Sequence, residues 1–194
     1  YTTFDVETVS AGVVNSNCTS EANKLYAKVR VTNTGKFSGK EVVQVYIAKP
    51  QGKLGKPAKE LAAFEKTREL QPGESQLMIL TWEINDMASY DDLGKVKKSA
   101  YVLEAGSYDI YVGTSVRDVT KADYSYILNH DVITEQLSAK LVPTSLPKRM
   151  LADGSYEALP QSEPVDTDYS AIGNIDPSLT EGVAPCQRAI PYLS

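Results

Sequence analysis

The sequence predicts an all-β protein, an antiparallel sandwich of two sheets, and three observations carry that prediction. Short runs rich in β-branched and aromatic residues alternate apolar and polar side chains with a period of two. Turn residues separate these runs at roughly regular spacing. Leu103-Glu-Ala-Gly-Ser-Tyr108 has the form of a tyrosine corner, in which a phenol that opens a strand bonds back to backbone upstream and pins a corner of an immunoglobulin-like sandwich.

Taken in order, Thr2 to Val14 reads as a bulged edge strand with Phe4, Val6 and Val9 as its apolar set, the alternation ending at Ala11-Gly12. Residues 15–23 read as a solvated polar loop, in which Asn17-Cys18-Thr19 formally matches a glycosylation acceptor that would matter only in a secreted eukaryotic protein. Leu25 to Ile47 has the pattern of a half-buried β-hairpin turned through Asn33-Thr34-Gly35 and Gly39. Ala27, Val29, Val31, Val43, Val45 and Ile47 lie on its dry face. Lys49 to Pro57 is broken by two prolines and two glycines, so it is a loop. Lys59 to Glu69 reads as a strand rather than a helix, because it runs into the turn Leu70-Gln-Pro-Gly-Glu74. Ser75 to Glu83 is apolar on both faces, which predicts a central strand covered on each side. Ile84 to Tyr90 predicts a single helical turn, and Asp91-Asp92-Leu93-Gly94 turns the chain into Lys95 to Glu104. Tyr108 to Gly113 points Tyr108, Ile110 and Val112 inward, Thr114 to Thr120 is a capped turn, and Tyr124 to Gln136 is one last strand.

After residue 136 the character changes. Prolines at 143, 147, 160, 164, 177, 185 and 191 leave little room for regular elements. Residues 1–136 are therefore expected to form the sandwich, and 137–194 an extended linker or wrapping arm toward a domain outside this sequence. The chain starts at Tyr1 rather than Met and is read as a piece of a longer polypeptide. At 194 residues it is too short for a barrel-sized enzyme. Its net charge of −5 and lack of a basic stripe argue against nucleic acid as a partner. No apolar run approaches the roughly 20 residues that span a bilayer, so no membrane partner is expected. Cys18 and Cys186 are far apart, and both their pairing and the compartment stay open.

The sequence offers no convincing active site: no catalytic, cofactor-binding or metal-ligating residue is assigned, and no cofactor is expected. His130 sits within the last strand pattern, with no Gly-x-Ser-x-Gly elbow and no cysteine at metal spacing. Asp91-Asp92 is the one tight carboxylate pair before the tail. A retaining glycosidase needs its two carboxylates about 5 Å apart across a sugar, whereas neighbours on a turn point apart into water. Glu60 and Glu65, beside Lys59 and Lys66, read as a solvated strand face. The glycines are isolated turn residues rather than a phosphate-binding loop.

Six blocks resemble a known family. They are Tyr1 to Phe4, Val31 to Tyr46, Lys56 to Lys66, Leu70 to Ser75, Ser89 to Asp91 and Gly106 to Asp118. In this order they are similar to the fibronectin type III-like domain of glycoside hydrolase family 3 enzymes, typified by β-glucosidases. The resemblance covers roughly residues 1–136. It implies a non-catalytic domain, with the nucleophilic aspartate on a (β/α)8 barrel and the acid/base glutamate on an α/β sandwich domain of the same parent. Those two domains are the implied partners, and no catalytic residue carries over. Ala105 stands where the family commonly has proline, and the tail after residue 136 departs from members in which this domain closes the chain. That tail resembles permuted members, where a barrel follows. The rival expectation is a free-standing surface adhesion or carbohydrate-binding module.

Overall fold

The computed structural model describes residues 1–14, 23–138, 147–151 and 153–158. The Cys18–Cys186 pairing and the Asn17 acceptor triplet lie outside them. The strands are β1 (Phe4–Val13), β2 (Lys24–Asn33), β3 (Val42–Ala48), β4 (Glu60–Lys66) and β5 (Ser75–Glu83). A 3₁₀ turn at Asn85–Met87 follows. Then come β6 (Ser89–Asp91), β7 (Ala100–Leu103), β8 (Gly106–Ser115), β9 (Asp118–Leu128), β10 (Val132–Gln136), β11 (Lys148–Met150) and β12 (Tyr156–Ala158). One sheet has the order β1-β2-β5 and the other β4-β3-β8-β9, all antiparallel. A small sheet, β10-β7-β6, and the hairpin β11-β12 complete the described chain.

The core lies between the two main sheets. Ala27, Val29 and Val31 of β2 and Met78, Leu80 and Trp82 of β5 share one buried cluster with Val43, Val45 and Ile47 of β3 and Tyr108, Ile110 and Val112 of β8. Every second residue of each strand is buried, which is how a period-two pattern becomes one dry face. Each such aliphatic side chain contributes about 1.5–3 kcal/mol on burial. In β1 the register shifts between Thr8 and Ser10, so Val9, expected to share the apolar face of Phe4 and Val6, is instead the extra residue and points outward. The bulge resets the alternation, which lets Ala11 and Val13 pack on the core as Phe4 and Val6 do.

Three expectations are corrected. Leu25 to Ile47 is not a hairpin: β2 pairs with β1 and β5, whereas β3 pairs with β4 and β8. The two strands face each other across the core, an arrangement whose alternation is identical to a hairpin's. The crossing loop, 34–41, is held by the buried side chain of Asn33. Its Nδ2 donates to the carbonyls of Phe37 and Leu70, both at 2.8 Å, and its Oδ1 accepts from Thr2 Oγ1 at 2.7 Å and the Gly35 N–H at 3.0 Å. Gly35 belongs here for steric reasons, since a Cβ on it would lie 2.6 Å from the Thr3 nitrogen.

The second correction concerns β5, which is an edge strand. Its inner face is buried, but Leu77 and Ile79 are 50% and 59% exposed. Third, Tyr124 to Gln136 is two strands, β9 and β10, in different sheets, with exposed His130 in the bend between them. Other readings agree with the structure. Gln71-Pro72-Gly73-Glu74 is a turn closed by the Glu74 N–H donating to the Gln71 carbonyl at 2.9 Å, with Gly73 at φ 79°. Thr114 and Ser115 cap the β8–β9 turn through hydrogen bonds to Asp118.

Candidate functional site

The tyrosine corner forms as the sequence predicts and becomes the hub of the end of the sandwich where β3 leaves and β8 enters. Tyr108 is buried, and its hydroxyl donates to the Glu104 carbonyl at 2.8 Å. Burial first, and the nearby Glu104 charge second, raise the phenol pKa far above its ordinary value. Gly106 lies at φ 140° with Pro50 packed against it, so a Cβ there would sit 2.5 Å from the Pro50 ring.

Glu104 reaches the other way. Its buried carboxylate accepts from the backbone N–H groups of Lys53 at 2.6 Å and Leu54 at 3.1 Å and pairs with Lys56 Nζ. Lys56 also donates to the Pro50 carbonyl at 2.7 Å. Lys49, equally buried, pairs with Glu60 at 2.5 Å, so Glu60 is an ion-pair partner rather than part of a solvated face. Asp131 accepts from the Ala105 N–H at 2.8 Å and faces Lys53 Nζ at 3.5 Å. The loop from Lys49 to Pro57 is thus fastened to the corner by charge.

A second carboxylate does similar work nearby. Asp91 is buried and accepts four backbone N–H bonds, from Gly94, Lys95, Val96 and Lys97, at 2.7–3.0 Å. Burial pushes its pKa up, but the four donors together outweigh that and hold it below the ordinary carboxylate range. Asp92 points the other way, to Arg149 Nη1 at 3.3 Å. The pair therefore diverges as the turn geometry predicts, but one member goes inward rather than into water. Arg149 also pairs with Glu157 at 2.9 Å, and Lys95 joins Glu157 at 2.5 Å, which ties the β11-β12 hairpin to this turn.

The chemical capacity of these groups follows from their geometry. Glu104 and Asp91 have their oxygens occupied by backbone donors, and neither is open to a substrate. A cleft of about 550 Å³ lies between the Lys49–Pro57 loop and the tail hairpin, lined in part by Lys56, Arg149, Met150 and Asp153. Among the described residues of its lining Asp153 is the one carboxylate, and it accepts from the Ser155 N–H and hydroxyl. Among the described residues no second carboxylate lines that cleft. Among the described residues no group of three or more His, Cys, Asp or Glu has metal-binding geometry. The sequence reading missed the buried roles of Lys49, Lys56, Glu104 and Asp91. The Leu103 to Tyr108 corner was the one local signal near them.

Fold and site define an immunoglobulin-like β-sandwich domain whose buried charges hold loops in place. Residues 41–116 match the family model of the fibronectin type III-like domain. The chain is 57% identical over 180 residues to β-glucosidase A of Butyrivibrio fibrisolvens, covering 89% of this chain and 22% of that protein. It is 43% identical over 148 residues to a β-glucosidase of Ruminococcus albus, covering 74% and 15%. The solved β-glucosidase of Paenibacillus barengoltzii superimposes with a TM-score of 0.71 at 40% identity, covering 84% of this chain and 19% of that one. The chain carries a fibronectin type III-like domain of the kind found in β-glucosidases of glycoside hydrolase family 3. It spans between 15% and 22% of the length of these relatives.

Proposed function

We propose that the chain is a non-catalytic supporting domain of a family 3 β-glucosidase. The parent would hydrolyse terminal non-reducing β-D-glucosyl residues by a retaining two-carboxylate mechanism on its barrel and α/β sandwich domains, both outside this chain. The observation that carries the reading is the combination of a match confined to between 15% and 22% of several β-glucosidases with buried carboxylates already engaged by backbone. Fold alone would not be enough, since one sandwich architecture serves many functions.

In this reading residues 1–136 are the supporting sandwich and 137–194 the connector to a domain placed after it, as in permuted members. The Butyrivibrio match supports the connector, because 89% of the chain takes it past residue 136. Removal of the domain from the complete enzyme is expected to lower its Tm, and calorimetric titration of the isolated chain with glucose and cellobiose is expected to give no binding heat. Saturable sugar binding by the chain would favour a carbohydrate-binding module instead. That alternative would use exposed aromatic rings such as Phe64, Tyr90 and Tyr101, and the titration decides between the two.

A further inference from the structure

Strands β4 and β5 are consecutive in the chain, and each is the last strand of its sheet, so together they form one lateral edge of the sandwich. A cavity of about 60 Å³ lies at this edge, lined in part by Lys49, Glu60, Leu61, Trp82 and Asp86. Trp82 is 5% exposed, and its indole Nε1 is the one buried side-chain donor or acceptor among the described residues that has no hydrogen-bond partner. Buried donors are almost always satisfied, by protein or by ordered water, and the described chain supplies no acceptor to this one. Leu61 is 51% exposed and Phe64 69%, and in register Leu61 neighbours Tyr46, which neighbours Tyr111.

The outer face of the other sheet differs. Leu77 and Ile79 are flanked in register by Arg30 and Lys28, and Arg30 is paired with Glu7 at 2.8 Å. Charges flank the apolar side chains of both surfaces, and among the described residues the orphaned donor is found at the β4–β5 edge.

We propose that the β4–β5 edge is the docking surface for the same enzyme's polypeptide outside this chain, which sets a backbone carbonyl on Trp82 Nε1 and apolar side chains on Leu61 and Phe64. This rests on the supporting-domain reading. The relatives supply the occupant: the chain accounts for 22% of the Butyrivibrio enzyme, leaving most of such a polypeptide to pack against it. The cavity sets the acceptor. That space admits a group the size of a carbonyl. Lys49 is already neutralised by Glu60, and Asp86 adds negative charge to the lining, so a neutral acceptor fits where a carboxylate would be repelled.

Hydrogen–deuterium exchange compares the isolated chain with the complete enzyme that carries it. Peptides spanning 60–66 and 82–87 are expected to exchange at least tenfold more slowly in the complete enzyme, with peptides of β1 and β2 unchanged. Leu61→Glu and Phe64→Glu are expected to leave the Tm of the isolated chain within about 2 °C and to abolish that added protection. The indole proton of Trp82, the chain's single tryptophan, provides a readout that needs no variant, and its solvent exchange is expected to slow in the complete enzyme. Added protection on the Leu77–Ile79 face instead would overturn the choice of surface and leave the supporting-domain reading standing. Protection nowhere on the chain would overturn both. Concentration-dependent protection of the isolated chain, with dimers in sedimentation, would assign the edge to a second copy and overturn the proposal.

Discussion

The space between the two sheets and the end of the sandwich where the Lys49–Pro57 loop meets Glu104 are both buried, and they are filled with opposite chemistry. Between the sheets, Val29, Val31, Val45, Ile47 and Ile110 meet one another with no polar atom to satisfy. At the loop end, Lys56, Glu104 and the Tyr108 hydroxyl are buried together with backbone groups that all need partners. Apolar packing is non-directional and tolerates small shifts, whereas a buried charge is tolerable only while its partner stays in place. The core therefore gives general cohesion, and the charged end fixes one loop geometry.

Removing a partner at the charged end is expected to have the largest effect. Glu104→Ala leaves the buried Lys56 charge without its counter-charge and two backbone N–H groups unpaired, and should cost about 3–5 kcal/mol in urea unfolding. The comparison sharpens in the double variant Lys56→Met, Glu104→Gln, which removes both charges and should recover much of that loss. In the core, Ile110→Ala should cost about 2–5 kcal/mol through lost burial and a residual cavity, and no second substitution at a charged site should rescue it.

Asp91→Asn tests the other buried carboxylate and should cost about 2–3 kcal/mol at pH 7, where charge-assisted bonds to backbone are lost. The pH dependence has a definite sign. The folded pKa of Asp91 lies below its unfolded value, which is about 3.9 for a free aspartate. Its contribution is therefore full above that unfolded value and is lost as pH falls through the folded one. The stability gap between wild type and Asp91→Asn should accordingly narrow below about pH 4, as read from urea midpoints across pH 7 to 3. Tyr108→Phe removes one hydrogen bond at the corner and should cost about 1–2 kcal/mol. His130→Ala, in an exposed bend, should change stability by no more than about 0.5 kcal/mol.

The two regions also differ in how far they can be read from residues alone. Alternation placed Val29, Val31, Val43, Val45 and Ile110 on buried faces, because period two is a local property of a strand. It did not reveal which strands share a sheet, since β2 facing β3 across the core and β2 paired with β3 in a hairpin bury the same side chains. The β5 pattern misled for a related reason: Leu77 and Ile79 are apolar, and the sequence does not say whether anything inside the chain covers them. At the charged end, Lys49, Lys56 and Glu104 look like ordinary loop and turn residues. Their burial depends on partners far off in sequence, as with Lys56 and Glu104. The corner itself was legible because Gly106 and Tyr108 are close neighbours with a fixed mutual geometry.

The most direct test of the account is hydrolysis of an aryl β-glucoside by the purified 194-residue chain, measured beside the longer polypeptide that carries it. The account predicts release at the buffer rate from the chain and turnover from the longer polypeptide. Turnover from the chain alone, lost on substitution of one of its own carboxylates, would contradict it.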